Sequence, residues 1–307
     1  MEYDKKFFGD TFIYVCNKCN LFFTNPMPDN SVLNEFYSKI YRAKGRPHYF
    51  DPKAPPLPVD RHYSYISTIS QYLNINKLNV VFEIGAGSGQ IGLLLKQAAP
   101  NISLYCVELD EFSQQTLENR GYSVLSSISQ IEKKADLIVS LHSLEHFTSI
   151  NDFFSIIDKV ISPDGKILIE VPNCPFDNGF KARPYDSPHL LFFTEQSLKD
   201  SLERRGYEVI FLQTIGPSFN EDFQACQKWK NIYEKWTPLR PDFNLTMYSK
   251  IRKIILKLIP NRLRSILRSI IKNEEVRRFE LSEFYFNKQD SSALRVVAKK
   301  SSHNFKS

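Results

Sequence analysis

Residues 79–92 read NVVFEIGAGSGQIG, an apolar run with one acid that leads into a cluster of glycines. The β-branched and aromatic residues before the glycines predict a buried strand, and the apolar residues after them predict a helix that packs back on it. Gly85, Gly87 and Gly89 can adopt positive φ and have no Cβ, so the chain can turn sharply and a ligand can approach the backbone. The stretch therefore predicts a strand, loop and helix that cradle a nucleotide-type ligand.

Two cofactors fit this loop. Residues 87–92 match GxGxxG, the dinucleotide fingerprint, in which a pyrophosphate lies on the helix N-terminus. The longer string from Glu83, EIGAGSG, resembles the E/DxGxGxG loop of class I S-adenosylmethionine-dependent methyltransferases. In that resemblance the acid before the first glycine helps to place the cationic methionine part. A carboxylate suits a cation and repels a pyrophosphate, so the loop favours the methyl donor and leaves NAD as the alternative.

Glu108 follows the next predicted strand, Ile102–Val107. A carboxylate at the end of that strand can accept hydrogen bonds from both ribose hydroxyls. NAD and S-adenosylmethionine share this requirement. Glu108 therefore predicts a nucleoside without choosing between the two cofactors.

Residues 136–147 read DLIVSLHSLEHF, a short apolar strand followed at once by a polar loop. His142, Glu145 and His146 then lie at the carboxyl edge of the sheet, where open α/β folds bind ligands. The string resembles the DLIVxxxxLEH segment of many small-molecule methyltransferases, a pattern that NAD dehydrogenases lack. Histidine titrates near neutral pH, so we predict that His142 faces the site as a base, while His146 has either a structural role or a role in the site.

Three later segments extend the resemblance. Residues 163–173 (PDGKILIEVPN) resemble the turn and fifth strand of the same enzymes, and residues 189–210 resemble their HxxxFT-helix-glycine-strand segment. His189 then lies on the acceptor side, as a base or as a hydrogen-bonded loop anchor. Residues 293–299 (ALRVVAK) are predicted to form the last strand, inserted antiparallel between strands five and six.

The resemblance implies an α/β fold with a doubly wound, seven-stranded, mostly parallel sheet of the Rossmann-like methyltransferase type. We predict three parts: an N-terminal segment and linker at 1–60, the S-adenosylmethionine-binding domain at 61–216 plus 291–300, and a helical insertion at 217–290. By the same resemblance the residues that contact the donor are Glu83, Gly85, Ala86, Gly87, Gly89, Glu108, Leu109, Leu141 and His142. The candidate catalytic bases are His142 and His189.

The predicted activity is methyl transfer to a small-molecule or glycan acceptor, with S-adenosylmethionine as co-substrate. Residues 1–43 resemble the N-terminal part of sugar and surface-glycan methyltransferases, which favours a sugar hydroxyl in surface polysaccharide biosynthesis as the acceptor. Two alternatives stay open. They are an NAD-binding oxidoreductase and a catalytically silent S-adenosylmethionine-binding partner protein.

Cys16 and Cys19 form a CxxC pair that is either half of a zinc ribbon or two ordinary cysteines in a hairpin. A structural zinc site needs four ligands, and the second pair is missing. We therefore predict neither a metal site nor a zinc cofactor, and we name these two cysteines as the residues that could contribute to one. The five cysteines form no regular disulfide framework, which favours a reducing compartment.

Composition and charge narrow the remaining choices. With 307 residues and 42% hydrophobic content, the chain suits one α/β core with additions, and it has no long apolar run or secretory leader, so we expect a cytoplasmic protein. Residues 247–273 hold eight lysines or arginines and no acid. Because the net excess of positive charge lies in this segment (+8, against +6 − 8 = −2 for the rest of the chain), we predict no nucleic-acid partner. Its two amphipathic helices either lie on the inner face of an anionic membrane or pack on the protein, and the oligomeric state is not predicted.

Overall fold

The structure, a computed structural model, describes residues 12–41, 60–125, 130, 133–174, 189–215 and 293–301. Most of the predicted linker and the whole predicted insertion, including the basic segment 247–273, lie outside these residues.

The described strands are β1 (Phe12–Val15), β2 (Phe22–Asn25), β3 (Val80–Ile84), β4 (Ser103–Val107), β5 (Tyr122–Val124), β6 (Ala135–Leu141), β7 (Ile161–Pro172), β8 (Leu191–Phe192), β9 (Tyr207–Ile215) and β10 (Ala293–Lys300). Seven of them form one sheet in the order β5-β4-β3-β6-β7-β10-β9. Strands β3 to β7 run parallel, and β10 is antiparallel to both of its neighbours. The predicted doubly wound, mostly parallel fold is confirmed, including the inserted last strand.

The described α-helices are α1 (Asn30–Glu35), α2 (Asp60–Tyr72), α3 (Gln90–Ala98), α4 (Glu111–Asn119), α5 (Ile150–Val160) and α6 (Glu195–Glu203). Short polar side chains begin several of them. The Asp110 carboxylate accepts from the Ser113 N–H at α4, and the Thr194 hydroxyl accepts from the Ser197 N–H at α6, as predicted for Thr194. Gly206, at φ +78°, follows the end of α6 as predicted. None of the helices in the described ranges is long and apolar enough to cross a membrane.

The central strand β3 is buried on both faces, because helices cover both sides of the sheet. Phe82 belongs to a core cluster with Phe153 of α5 and Leu198 of α6. On the other face, Val81 belongs to a cluster with apolar residues of α2, α3 and α4. This two-sided burial explains why β3 reads as a nearly continuous apolar run.

A second, three-stranded sheet joins β1, β2 and β8. In it, β2 pairs antiparallel with β8, so that Phe22 lies opposite Phe192. The sequence predicted only β1 of this sheet. The pairing attaches the N-terminal segment to the chain that directly follows His189.

Two predicted boundaries were wrong. Strand β7 begins at Ile161 and includes the residues predicted as a turn, Pro163–Gly165, because its pairing with β6 contains an irregularity before Lys166. The turn and cap residues at 26–31 predict a short helix over about 32–41, and the structure divides this segment into α1 and a π-helical turn, Phe36–Ile40.

Candidate active site

The glycine loop between β3 and α3 has the backbone that its sequence predicts. Gly85, Gly87 and Gly89 have φ of +69°, +54° and +68°. A Cβ on Gly85 would overlap the Ser143 hydroxyl, and one on Gly89 would lie 2.7 Å from the ring of Tyr122. Both the conformation and the close packing therefore require glycine in this loop.

Glu108 lies beside this loop, at the end of β4. Its Oε2 accepts from the Gly87 N–H at 2.8 Å, and its Oε1 accepts from the Asp110 N–H at 3.0 Å. Next to it, Leu109 and Phe112 are 52% and 45% exposed, unusually high for large apolar side chains. The edge of the sheet thus presents a carboxylate, a turn of backbone and two apolar side chains together.

Glu83 lies beneath the N-terminus of α3 and is buried. Its Oε1 accepts from the Gly92 N–H at 2.9 Å and from the Tyr122 hydroxyl. Burial raises the pKa of Glu83 to about 7, although these two hydrogen bonds oppose the rise. The carboxylate fastens the helix to the sheet, and its contact with a donor stays a prediction.

The other two predicted donor contacts lie near the same edge. Ala86 packs partly buried against the core cluster under α3. Leu141 is half-buried and ends β6, where it pairs with Glu170 of β7.

His142 adopts φ +52° just beyond β6 and lies between two carboxylates. Its Nδ1 is 3.4 Å from Oε1 of Glu145, and its Nε2 is 3.2 Å from Oε1 of Glu170 and also contacts Arg61. Burial alone would lower the pKa of His142, but the two carboxylates raise it above its ordinary value. A base at this position would therefore have to release a proton that both carboxylates help to hold.

A buried ion-pair network supports His142 from below. The Arg295 Nε donates to Oε2 of Glu170 at 2.8 Å, and the Tyr65 hydroxyl donates to Oε1 at 2.6 Å. Arg295 is 0% exposed and its guanidinium also donates to the hydroxyls of Ser64 and Thr68. Burial opposes ionisation of Glu170, yet His142, Arg295 and Arg61 hold its pKa well below the usual range.

This network was not predicted from the sequence. Its signal was available, because β7 and β10 each carry a charge within an apolar run, and the antiparallel register places Arg295 directly opposite Glu170.

Glu145, His146 and His189 form a second cluster, with one possible ligand atom of each within 4.8 Å of the others. The rings of His146 and His189 lie 5.0 Å apart, edge to face. Nδ1 of His146 is 2.8 Å from the Tyr37 hydroxyl, and the carbonyl oxygen of His189 accepts from the Thr24 hydroxyl at 3.1 Å. The structure thus gathers all the histidines predicted at this edge, together with a tyrosine that the sequence did not indicate.

Cys16 and Cys19 lie in the connection between β1 and β2, where the Cys16 N–H donates to the Leu21 carbonyl at 2.9 Å. Both are partly exposed free thiols. The pair therefore lies in a hairpin, and the absence of a zinc site there stays a prediction.

The sheet order, the glycine loop and the acid at the end of β4 define a Rossmann-like methyltransferase fold. Residues 59–212 match the family described as "Methyltransferase domain", half of the chain, and the protein belongs to that family. This membership favours the methyl donor over NAD for the glycine loop. No curated protein matches the chain.

Among solved structures, coclaurine N-methyltransferase bound to N-methylheliamine and SAH is 15% identical, with 88% of this chain and 81% of that chain covered and a TM-score of 0.45. A SAM-dependent methyltransferase from Geobacter sulfurreducens in complex with S-adenosyl-L-homocysteine is 12% identical, with coverages of 87% and 95% and a TM-score of 0.40. YjhP from E. coli is 12% identical, with coverages of 87% and 98% and a TM-score of 0.43.

Proposed function

We propose that this protein transfers the methyl group of S-adenosylmethionine to a hydroxyl of a small-molecule or glycan acceptor, with a sugar hydroxyl of a surface polysaccharide precursor as the favoured class. One observation carries the proposal. The Glu108 carboxylate is hydrogen-bonded to Gly87 of the positive-φ loop, so a ribose bound to Glu108 would lie against that loop.

The donor fits the residues beside Glu108. Leu109 and Phe112 offer exposed apolar surface for an adenine ring, while Glu108 offers carboxylate oxygens for the ribose hydroxyls. The methionine part would follow the loop from Gly85 to Gly89. Nothing in this arrangement requires a phosphate, in keeping with a sulfonium donor.

In the reaction, the acceptor oxygen forms a bond to the methyl carbon while the carbon–sulfur bond breaks, and its electron pair stays on sulfur. S-adenosylhomocysteine leaves, and the hydroxyl proton passes to a base. Holding the two reactants in line supplies most of the acceleration. His142 and His189 are the candidate bases, since both lie at the carboxyl edge of the sheet beside the loop after β6.

The glycan acceptor is supported by the position of the N-terminal segment, which carries the glycan-type resemblance. Tyr37 contacts His146, and Thr24 holds the backbone of His189. The segment that carries this resemblance therefore borders the histidines that we propose for the acceptor side.

Thermal unfolding with S-adenosylhomocysteine and, separately, with NAD tests the donor. At a ligand concentration 100 times the dissociation constant we expect about 2.7 kcal/mol of stabilisation by S-adenosylhomocysteine and none by NAD. Stabilisation by NAD alone would overturn the proposal.

The acceptor is tested by mass spectrometry of cell-surface glycan precursors incubated with the protein and S-adenosylmethionine. A gain of one methyl group, dependent on the protein, is expected. Donor binding without transfer to any precursor would instead support a silent partner protein.

We also propose that residues 247–273 contact the inner face of an anionic membrane, on the strength of their eight basic residues and apolar stripes. Flotation with anionic liposomes at low salt tests this contact. Protein that stays at the bottom of the gradient would contradict it.

A further inference from the structure

Glu145 is an unusual buried acid. Its side chain is 1% exposed, and neither carboxylate oxygen has a hydrogen-bond partner among the described residues. Nδ1 of His142 lies 3.4 Å from Oε1 and forms an ion pair with Glu145 when the imidazole is protonated. A buried carboxylate without hydrogen bonds is costly, so a ligand that accepts its lone pairs would remove a substantial penalty.

Two imidazoles face this carboxylate. Nε2 of His146 lies 4.0 Å from Oε1 of Glu145, and the ring of His189 packs edge to face on that of His146. If Nδ1 of His146 donates its hydrogen to the Tyr37 oxygen, Nε2 carries a lone pair on the side of Glu145. This is the arrangement in which metal-bound histidines are held by an outer hydrogen bond.

The backbone fixes both segments before any ligand binds. The Leu190 N–H donates to the Glu145 carbonyl at 2.7 Å, which ties the segment after His189 to the turn after β6. On its other side, His189 is held through its carbonyl by Thr24. The three side chains therefore converge because of the fold, and not because of their own contacts alone.

We propose that Glu145, His146 and His189 bind one divalent transition-metal ion. Two imidazoles and one carboxylate suit Zn²⁺, Mn²⁺, Fe²⁺ or Co²⁺, and three protein ligands leave coordination positions for water or substrate. Together with the proposed function, on which this part rests, the ion would bind the acceptor oxygen and lower the pKa of its hydroxyl. His189 would then be a ligand, which leaves His142 as the candidate base.

The test uses the full chain stripped of metal by a chelator, in a background with Cys16→Ser and Cys19→Ser, so that the CxxC thiols cannot bind the ion. Titration calorimetry with Zn²⁺ is expected to show one site. Co²⁺ is expected to give visible absorption bands of a nitrogen- and oxygen-ligated ion.

The ligands are tested one at a time. Glu145→Gln and His189→Gln should each weaken Zn²⁺ binding by more than tenfold, and Tyr37→Phe should weaken it by roughly tenfold through His146. The matched controls are Glu203→Gln, which changes an acid of α6 that is 46% exposed, and His62→Gln on α2, and both should keep the parent affinity.

Binding of S-adenosylhomocysteine is measured on the same samples, which separates this proposal from the methyl-transfer proposal. Variants that lose Zn²⁺ but bind S-adenosylhomocysteine are folded and support the site. If Glu145→Gln fails to fold, the Zn²⁺ affinities of His189→Gln and Tyr37→Phe test the proposal in its place. The same Zn²⁺ affinity in the parent and in the folded variants, or no binding at micromolar Zn²⁺, would overturn the proposal and leave Glu145 as a member of an ion-pair cluster, whatever the outcome of the donor test.

Discussion

The proposed donor side and the proposed acceptor side of the site are built in different ways. On the donor side, Glu83, the glycine loop and Glu108 come from one strand-loop-helix-strand unit, and the carboxylates bond mainly to backbone N–H groups. On the acceptor side, side chains from distant parts of the chain meet, since Tyr37 contacts His146 and Arg295 pairs with Glu170. The donor side is therefore encoded locally, while the acceptor side exists only once the whole sheet has assembled.

This difference predicts whether a substitution in each half lowers ligand affinity or lowers the stability of the fold. A change on the donor side should affect ligand binding and leave the fold intact, because the backbone supplies most of the contacts. A change in the buried charges of the acceptor side should affect the fold itself, because a charge that loses its partner there has no solvent to replace it.

The largest effect is expected for Arg295→Leu, which removes from Glu170 the partner that is itself fully buried. Removing one member of a buried pair costs about 3–5 kcal/mol of the free energy of unfolding, measured by urea denaturation. The control Lys299→Leu breaks an exposed pair on the same strand, with Glu208, and should cost about 1 kcal/mol or less. Equal losses in the two variants would show that the acceptor side does not depend on its buried charges.

Gly87→Val should reduce the affinity for S-adenosylhomocysteine by about a hundredfold or more, equivalent to about 2.7 kcal/mol, because a branched side chain at φ +54° opposes both the loop conformation and the approach of a ligand. Calorimetric titration of the variant with S-adenosylhomocysteine measures this loss of affinity. The control is Gly206→Val, at φ +78° with nothing within 4 Å of an added Cβ, which should lower stability and keep the affinity. Retained affinity in Gly87→Val would place the donor elsewhere.

Glu108→Gln should weaken S-adenosylhomocysteine binding about tenfold, because a neutral amide accepts hydrogen bonds from ribose hydroxyls less strongly than a carboxylate. Its amide oxygen can still accept from one of the two backbone N–H groups, but the other loses its acceptor, so a small fall in the melting temperature is expected as well. Glu111→Gln, an exposed change three residues along, is the control for binding. An unchanged affinity in Glu108→Gln would remove the ribose role from this residue.

Glu83→Gln should change how steeply the free energy of unfolding depends on pH. The pKa of Glu83 is raised to about 7 in the folded state, above its unfolded value near 4.5, so its stabilising contribution is complete below pH 4.5 and is lost as pH rises through 7. Urea unfolding between pH 5 and 8 should therefore show a downward slope of up to about 1.4 kcal/mol per pH unit from this group, absent in the variant. Identical slopes in both proteins would mean that Glu83 is ionised throughout.

The same difference explains what could be predicted from the sequence. The glycine loop and Glu108 were found because their spacing lies within one unit, and β10 was placed between β7 and β9 from its resemblance. The strands β2 and β8 were missed because each is short and becomes a strand only by pairing with a distant segment. Local preference carries little information about such pairs.

The proposed acceptor side shows most clearly which features could not be predicted from the sequence. His142, Glu145, His146 and His189 were each predicted at the carboxyl edge, but their relation was not, because His189 reaches Glu145 through a backbone contact at Leu190. The proposal of a metal site at these residues therefore differs from the prediction made from the sequence, which contained no metal site. Because these ligands come from separate segments of the chain, the sequence contains no characteristic ligand spacing that would predict the site.

The insertion of β10 between β7 and β9 has a consequence for synthesis of the protein. Residues between Ile215 and Ala293 must be translated before β10 exists, which takes roughly 4–15 s at ordinary elongation rates. During that interval the nascent sheet already contains Glu170, but its counter-charge Arg295 has not yet left the ribosome. Until β10 is made, Glu170 thus lacks its fully buried arginine partner, and ribosome-bound chains arrested before Ala293 should be more sensitive to protease than the released protein.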